Sequence, residues 1–142
     1  MGEVEKYNLK HWADRVVNDP EMLARDGKTF CNIAFNRICR GMDYHNLDGM
    51  VANEIYEYLK TNWTIPYGEP QQKAEAAHRA AMVGDLAAGA VMGKPHGHVA
   101  MLYPDNPMLF SGKWGIYCPK VANVGKNNGI MGANYAFAEL PG

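Results

Sequence analysis

The stretch His78–Gly93, HRAAMVGDLAAGAVMG, is where the 142-residue chain changes character. Up to Gly84 the alanine-rich run from Gln71 has helical composition, and glycine is the expected stop. Beyond it, AAGAVMG is a short apolar run bounded by glycine, the pattern of a strand. Upstream of this point the chain reads as helices. Downstream, GHVAMLYP, KWGIYCPKVANVG and NYAFAEL read as strands, with turns at KPHG, PDNP and GKNNG. Helices first and strands second imply a single α+β domain over residues 1–142, with N-terminal helices packed on a C-terminal antiparallel sheet built after about Ala87.

In the helical half, Leu9, Trp12, Ala13, Val16 and Val17 recur at helical spacing, with Asn8 as the expected N-cap. Asp19-Pro20 breaks this helix and restarts a short turn. Thr29 is the expected cap of a helix that opens at Cys31, turns Phe30, Ala34, Phe35 and Ile38 inward and ends at Gly41. Asp48 is expected to begin the next helix, which carries Val51, Ile55, Tyr58 and Leu59. TIPYGEP is a loop.

Composition narrows the function classes. Hydrophobic residues make up 47% of the chain, charged residues 20%, and the net charge is −1. Such a balance gives no sign of a nucleic-acid partner, which a basic excess would announce. No run of 18 apolar residues exists to cross a membrane. MGEVEKYNLKHW lacks the basic and apolar regions of a signal peptide, and Lys6 stands where myristoylation wants Ser or Thr. Three cysteines are too few, and odd in number, for a disulfide scaffold.

Cys31 is the residue with the most chemistry to offer. A free cysteine is usually a buried small hydrophobe. In the first turn of a helix, however, unpaired N–H groups and the dipole favour thiolate. Cys39 has the opposite, negative helix end, and Cys118 falls in a strand. Alkylation discriminates the two readings: a thiolate-rich Cys31 should react well below pH 8, whereas a core thiol should resist. A nucleophilic thiol also needs a histidine to carry its proton. Of five, His11 lies in an amphipathic helix, His45 in the loop GMDYHNLDG, and His78 reads as a surface residue. His96 belongs to a turn. His98, at the mouth of a strand whose alternation groups it with Ala100 and Leu102, is the best placed. If PDNP joins the His98 strand to MLFSGK as a hairpin, Ser111 falls diagonally across from His98 and could orient its ring. Asn123, on the following strand, is the rival for that role.

KTFCNIAFNRI, GHVAMLYP and CPKVANVGKNNGI…NYAFAE together resemble the papain-like cysteine amidases of bacterial cell walls. These form the CHAP and NlpC-type superfamily, and the small amidase effectors of type VI secretion are the nearest in look. The resemblance spans Lys28 to Glu139. It implies a papain-like fold with Cys31 and His98 as the catalytic pair, and no metal or cofactor. It further implies cleavage of a peptidoglycan stem-peptide amide, with the D-glutamyl–diamino acid bond favoured. A secreted antibacterial effector or a phage lysin would act in the periplasm or wall, and an inhibitor protein could accompany it. Two other readings compete. His96 and His98 could hold zinc with His78 or Cys118, although no HExxH or CxxC motif accompanies them. Alternatively, the domain could be a binding module in which Cys31 is merely buried.

Overall fold

The structure, a computed structural model, describes residues 2–137. Helices α1 (Gly2–Asn18), α2 (Cys31–Gly41), α3 (Ala52–Asn62) and α4 (Pro70–Met82) precede six strands. These are β1 (Ala88–Val91), β2 (His98–Tyr103), β3 (Leu109–Ser111), β4 (Ile116–Cys118), β5 (Lys120–Asn123) and β6 (Gly129–Gly132). A short α5 (Ala133–Ala136) follows. The main sheet has the order β1-β2-β5-β6, every neighbour antiparallel, while β3 and β4 form a separate two-stranded ribbon. The chain is α+β, with its helices first, as the change at Gly84 implies.

Several boundaries differ from expectation for local reasons. α1 begins at Gly2 and runs through Asn8, because Glu3 and Glu5 in its first turn complement the helix dipole. Asp19 does cap a 3-10 turn over Pro20–Met22, accepting the Glu21 N–H at 2.9 Å. Phe30, not Thr29, stands at the N-cap of α2, and no side chain caps this helix. Its first N–H groups are therefore left for other partners. Asp48 does not open α3; its carboxylate serves Arg40 and accepts from Asn36 at 2.8 Å. α3 starts at Ala52, where the Val51 N–H donates to Glu54 at 3.0 Å. Gly41 is required for a further reason, since a Cβ there would run into the Trp12 ring where α1 crosses α2.

The sheet is covered on both faces. Val99, Met101, Tyr103, Ala122 and Val124 pack with Leu9, Ala13, Phe35, Ile38 and Ile55 from α1, α2 and α3. Ala100, Leu102 and Val121 face the other way, against Ala81 of α4, Ala87 and Phe137. Each fully buried aliphatic or aromatic side chain contributes roughly 1.5–3 kcal/mol.

The expected hairpin through PDNP does not form. β2 has β1 on one side and β5 on the other, so no edge remains for β3. Pro104 and Pro107 lack the N–H groups that a continued ladder would need. Pro119 likewise divides KWGIYCPKVANVG, leaving β4 to the ribbon and β5 to the sheet. The ribbon is fastened to α4 by Gln71, whose carboxamide accepts the Tyr117 N–H at 2.8 Å and donates to its carbonyl at 3.2 Å. NYAFAEL, expected as a strand, instead begins within α5, and its last residues lie outside the described region. GIMG supplies β6, a strand the glycines conceal in the sequence.

Candidate active site

Cys31 opens α2 and is 6% exposed. Backbone N–H groups of Val99, Asn32 and Cys31 itself act on its sulfur and favour the thiolate. Burial acts more strongly in the opposite direction and pushes the thiol above its ordinary value. Desolvation thus outweighs the helix terminus, the balance of a core thiol rather than of one that alkylates well below pH 8. Cys39, at the other end of α2, is fully buried and pushed up to about 12 by desolvation. Cys118 is buried and also raised.

His98 is the first residue of β2, half-buried, with its Nε2 2.6 Å from Oδ1 of Asn123. Asn123 ends β5 and is 5% exposed. It is held in turn by donating its own Nδ2 to the Asn127 carbonyl at 2.7 Å. Since the amide oxygen only accepts, the ring carries its proton on Nε2, which leaves Nδ1 as the basic nitrogen of the neutral tautomer. Phe137 leans on the imidazole, ring centroids 4.9 Å apart. A Cβ at Gly125 would sit 3.4 Å from the ring's Cε1, so this glycine lets the turn close over the histidine. Burial lowers the His98 pKa below the ordinary histidine value, and the Asn123 bond opposes that in part.

Cys31 and His98 both lie at the start of β2, on opposite faces of the sheet. Alternation does place His98 with Ala100 and Leu102, but that face belongs to α4 and Phe137. α2 packs on the face of Val99 and Met101. The link is Val99, one residue on from His98, whose N–H reaches the Cys31 sulfur. Among the described residues, no hydrogen bond joins that sulfur to the imidazole directly. Burial favours the uncharged form of each group, a thiol at Cys31 and a neutral imidazole at His98. Such a pair can transfer a proton as the sulfur attacks, without holding an ion pair in a desolvated site beforehand.

The rival candidates are placed elsewhere. Ser111 lies in β3, in the separate ribbon, and its hydroxyl accepts the Trp114 N–H at 3.1 Å. Of the two candidates, Asn123 is the one beside His98, because β5 rather than β3 is the neighbour of β2. His78 is not a surface residue; it is 8% exposed and pairs with Asn106 at 2.9 Å. His45 pairs with Asp43 at 2.8 Å, and His96 is exposed in its turn. No group of three metal-ligating side chains gathers among the described residues.

Sequence reasoning missed the supports around this pair. Asn128 accepts the Gly125 N–H at 2.9 Å and donates to the Met22 carbonyl at 2.8 Å, which ties the turn after β5 to the 3-10 turn that follows α1. The paired asparagines of GKNNG were the available signal, read only as a turn. The loop GMDYHNLDG follows α2, and just beyond it the Met50 carbonyl accepts from Asn32, the neighbour of Cys31, at 3.1 Å. TIPYGEP instead borders a different cleft of about 710 Å³, lined by Ile65, Pro66, Ala77 and Ala88.

No family model, curated protein or solved structure matches this chain.

Proposed function

We propose that the protein is a cysteine-dependent amide hydrolase of papain-like type, acting on the stem peptide of peptidoglycan. The observation that carries this reading is the fixed Asn123–His98 pair at the start of the strand whose next N–H, that of Val99, favours the Cys31 thiolate. A half-buried histidine fixed in one tautomer by a buried amide is an arrangement that a purely structural thiol does not need. Zinc binding, by contrast, finds no third ligand among the described residues.

In the proposed reaction the Cys31 sulfhydryl turns from the Val99 N–H towards Nδ1 of His98 and gives up its proton as Sγ attacks the amide carbon. The C=O π electrons move to oxygen, and the oxyanion is met by the Cys31 backbone N–H at the uncapped start of α2. His98 returns the proton to the departing nitrogen as the C–N bond breaks, leaving a thioester and a free amine. Water, deprotonated by His98, then splits the thioester into a carboxylic acid and the original thiol. Asn123 keeps the ring in the required tautomer throughout.

The choice of peptidoglycan rests on the resemblance of the cysteine, GHVA and glycine-rich segments to cell-wall amidases, and it favours the D-glutamyl–diamino acid bond. A wall-directed effector or lysin would reach this substrate outside the cytoplasm, and an inhibitor protein would guard its producer. The test is digestion of purified muropeptides, with products weighed by mass spectrometry. Wild-type protein should release fragments heavier by one water in total, while Cys31→Ala and His98→Ala should release none. Intact muropeptides after prolonged digestion by wild type would overturn the substrate.

A further inference from the structure

We propose that Asn53 is the positioning residue for His98, clamping through its carboxamide the loop from which His98 enters β2. This deepens the reading of His98 as the site's proton carrier and rests on it. Asn53 lies in the first turn of α3 and contributes nothing else to the site. Its Nδ2 donates to the Gly93 carbonyl at 3.1 Å, and its Oδ1 accepts the Gly93 N–H at 3.3 Å. One side chain thus satisfies both backbone groups of one residue, as a neighbouring strand would.

The loop is built to accept that clamp. Val91 and His98 are the last paired residues of β1 and β2, so residues 92–97 are the whole connection. A Cβ at Gly93 would strike the His96 carbonyl. One at Gly97 would strike both the Val91 carbonyl and the Asn53 amide oxygen. Both glycines are needed for the loop to fold onto itself and onto Asn53. α3 is a firm anchor, since Ile55 and Leu59 are buried in the core. The clamp therefore fixes the backbone of residues 97–99 from the α3 side. That backbone decides where the His98 ring leaves the strand and where the Val99 N–H points.

The test compares Asn53→Ala, Asn53→Ser and Gly97→Ala with Asn62→Ala. The last removes an amide contact, to the Tyr58 carbonyl, from the far end of the same helix. His98 ring titration and Val99 amide exchange are followed by NMR, and turnover is measured alongside. With the clamp gone, the ring should gain water and titrate upward towards the ordinary 6.5, and Val99 exchange should quicken. kcat should fall roughly 100-fold with KM within about twofold, the cost of misplacing a reacting group by about an ångström. Asn62→Ala should change none of these. If a folded Asn53 variant leaves His98 titration and Val99 exchange as in wild type, the inference is wrong. If both move but wild type cleaves no stem-peptide amide, the functional reading falls and the positioning role stands.

Discussion

Asn123→Ala tests the electrostatics of the site most directly. The substitution removes two hydrogen bonds, from the His98 ring at 2.6 Å and to the Asn127 carbonyl at 2.7 Å. Asn127 is exposed, so water can take over its carbonyl, whereas the half-buried ring is left with an unpaired N–H. One such orphan costs about 1–3 kcal/mol. At about 2 kcal/mol, a domain of this size should lose roughly 6–10 °C in Tm. Turnover should fall about 10–100-fold, part of the 10²–10⁴ that a positioned general base supplies. The pH profile carries the sharper sign. Burial sets the folded His98 below the ordinary 6.5, so the unfolded chain binds a proton that the native chain refuses as pH falls through that range. Stability is therefore lost on acidification, down to the folded value. Asn123 favours the charged ring, so Asn123→Ala should deepen that loss and move the acid limb of kcat/KM to lower pH. Asn123→Asp, which sets a carboxylate beside the ring, should move the limb to higher pH. Urea titrations and initial rates from pH 4 to 8 would show both. A folded Asn123→Ala enzyme with unchanged rate, or limbs displaced the opposite way, would refute the role given to the Asn123–His98 pair.

Further consequences can be checked separately. Cys31→Ala and His98→Ala should each abolish turnover while thermal melting and far-UV circular dichroism stay close to wild type; near-normal activity in either would misassign the roles. Iodoacetamide should label native Cys31 at least tenfold more slowly at pH 7 than an exposed cysteine, with the rate climbing only above the ordinary thiol range, as its raised pKa requires. Phe35→Ala, at a ring 2% exposed and 6.3 Å from that of Trp63, should cost about 3–5 kcal/mol in urea unfolding, and a loss under about 1 kcal/mol would contradict the core described. Given an export signal, the protein should lyse a Gram-negative host, and Cys31→Ala should spare it; lysis by that variant would separate toxicity from thiol chemistry.

The features legible in the sequence are those fixed by near neighbours. The helix beginning at Cys31, the strand beginning at His98 and the change at Gly84 all follow from periodicity and punctuation within a few residues. What failed depends on which strands pair. Whether Ser111 or Asn123 faces His98 is decided by β5 lying beside β2, a contact between residues some twenty positions apart, and the PDNP turn suggested the wrong partner. His78 reads as a surface residue because an alanine-rich helix shows no strong apolar face, yet it is buried and pairs with Asn106 from the loop after β2. The protonation of Cys31 is hidden from the sequence for a related reason. Helix position is visible in a sequence, whereas the desolvation that outweighs it comes from the packed neighbours.

Gln71 occupies both main-chain groups of Tyr117 and so closes one side of the β3–β4 ribbon. A two-stranded ribbon with exposed Phe110 and Tyr117 on one surface would otherwise offer an open template to any extended chain. A single glutamine on α4 denies that template without adding a strand. The ribbon's aromatic surface is left available to solvent and to ligands, while at Tyr117 the β4 edge has no free main-chain group to recruit another strand.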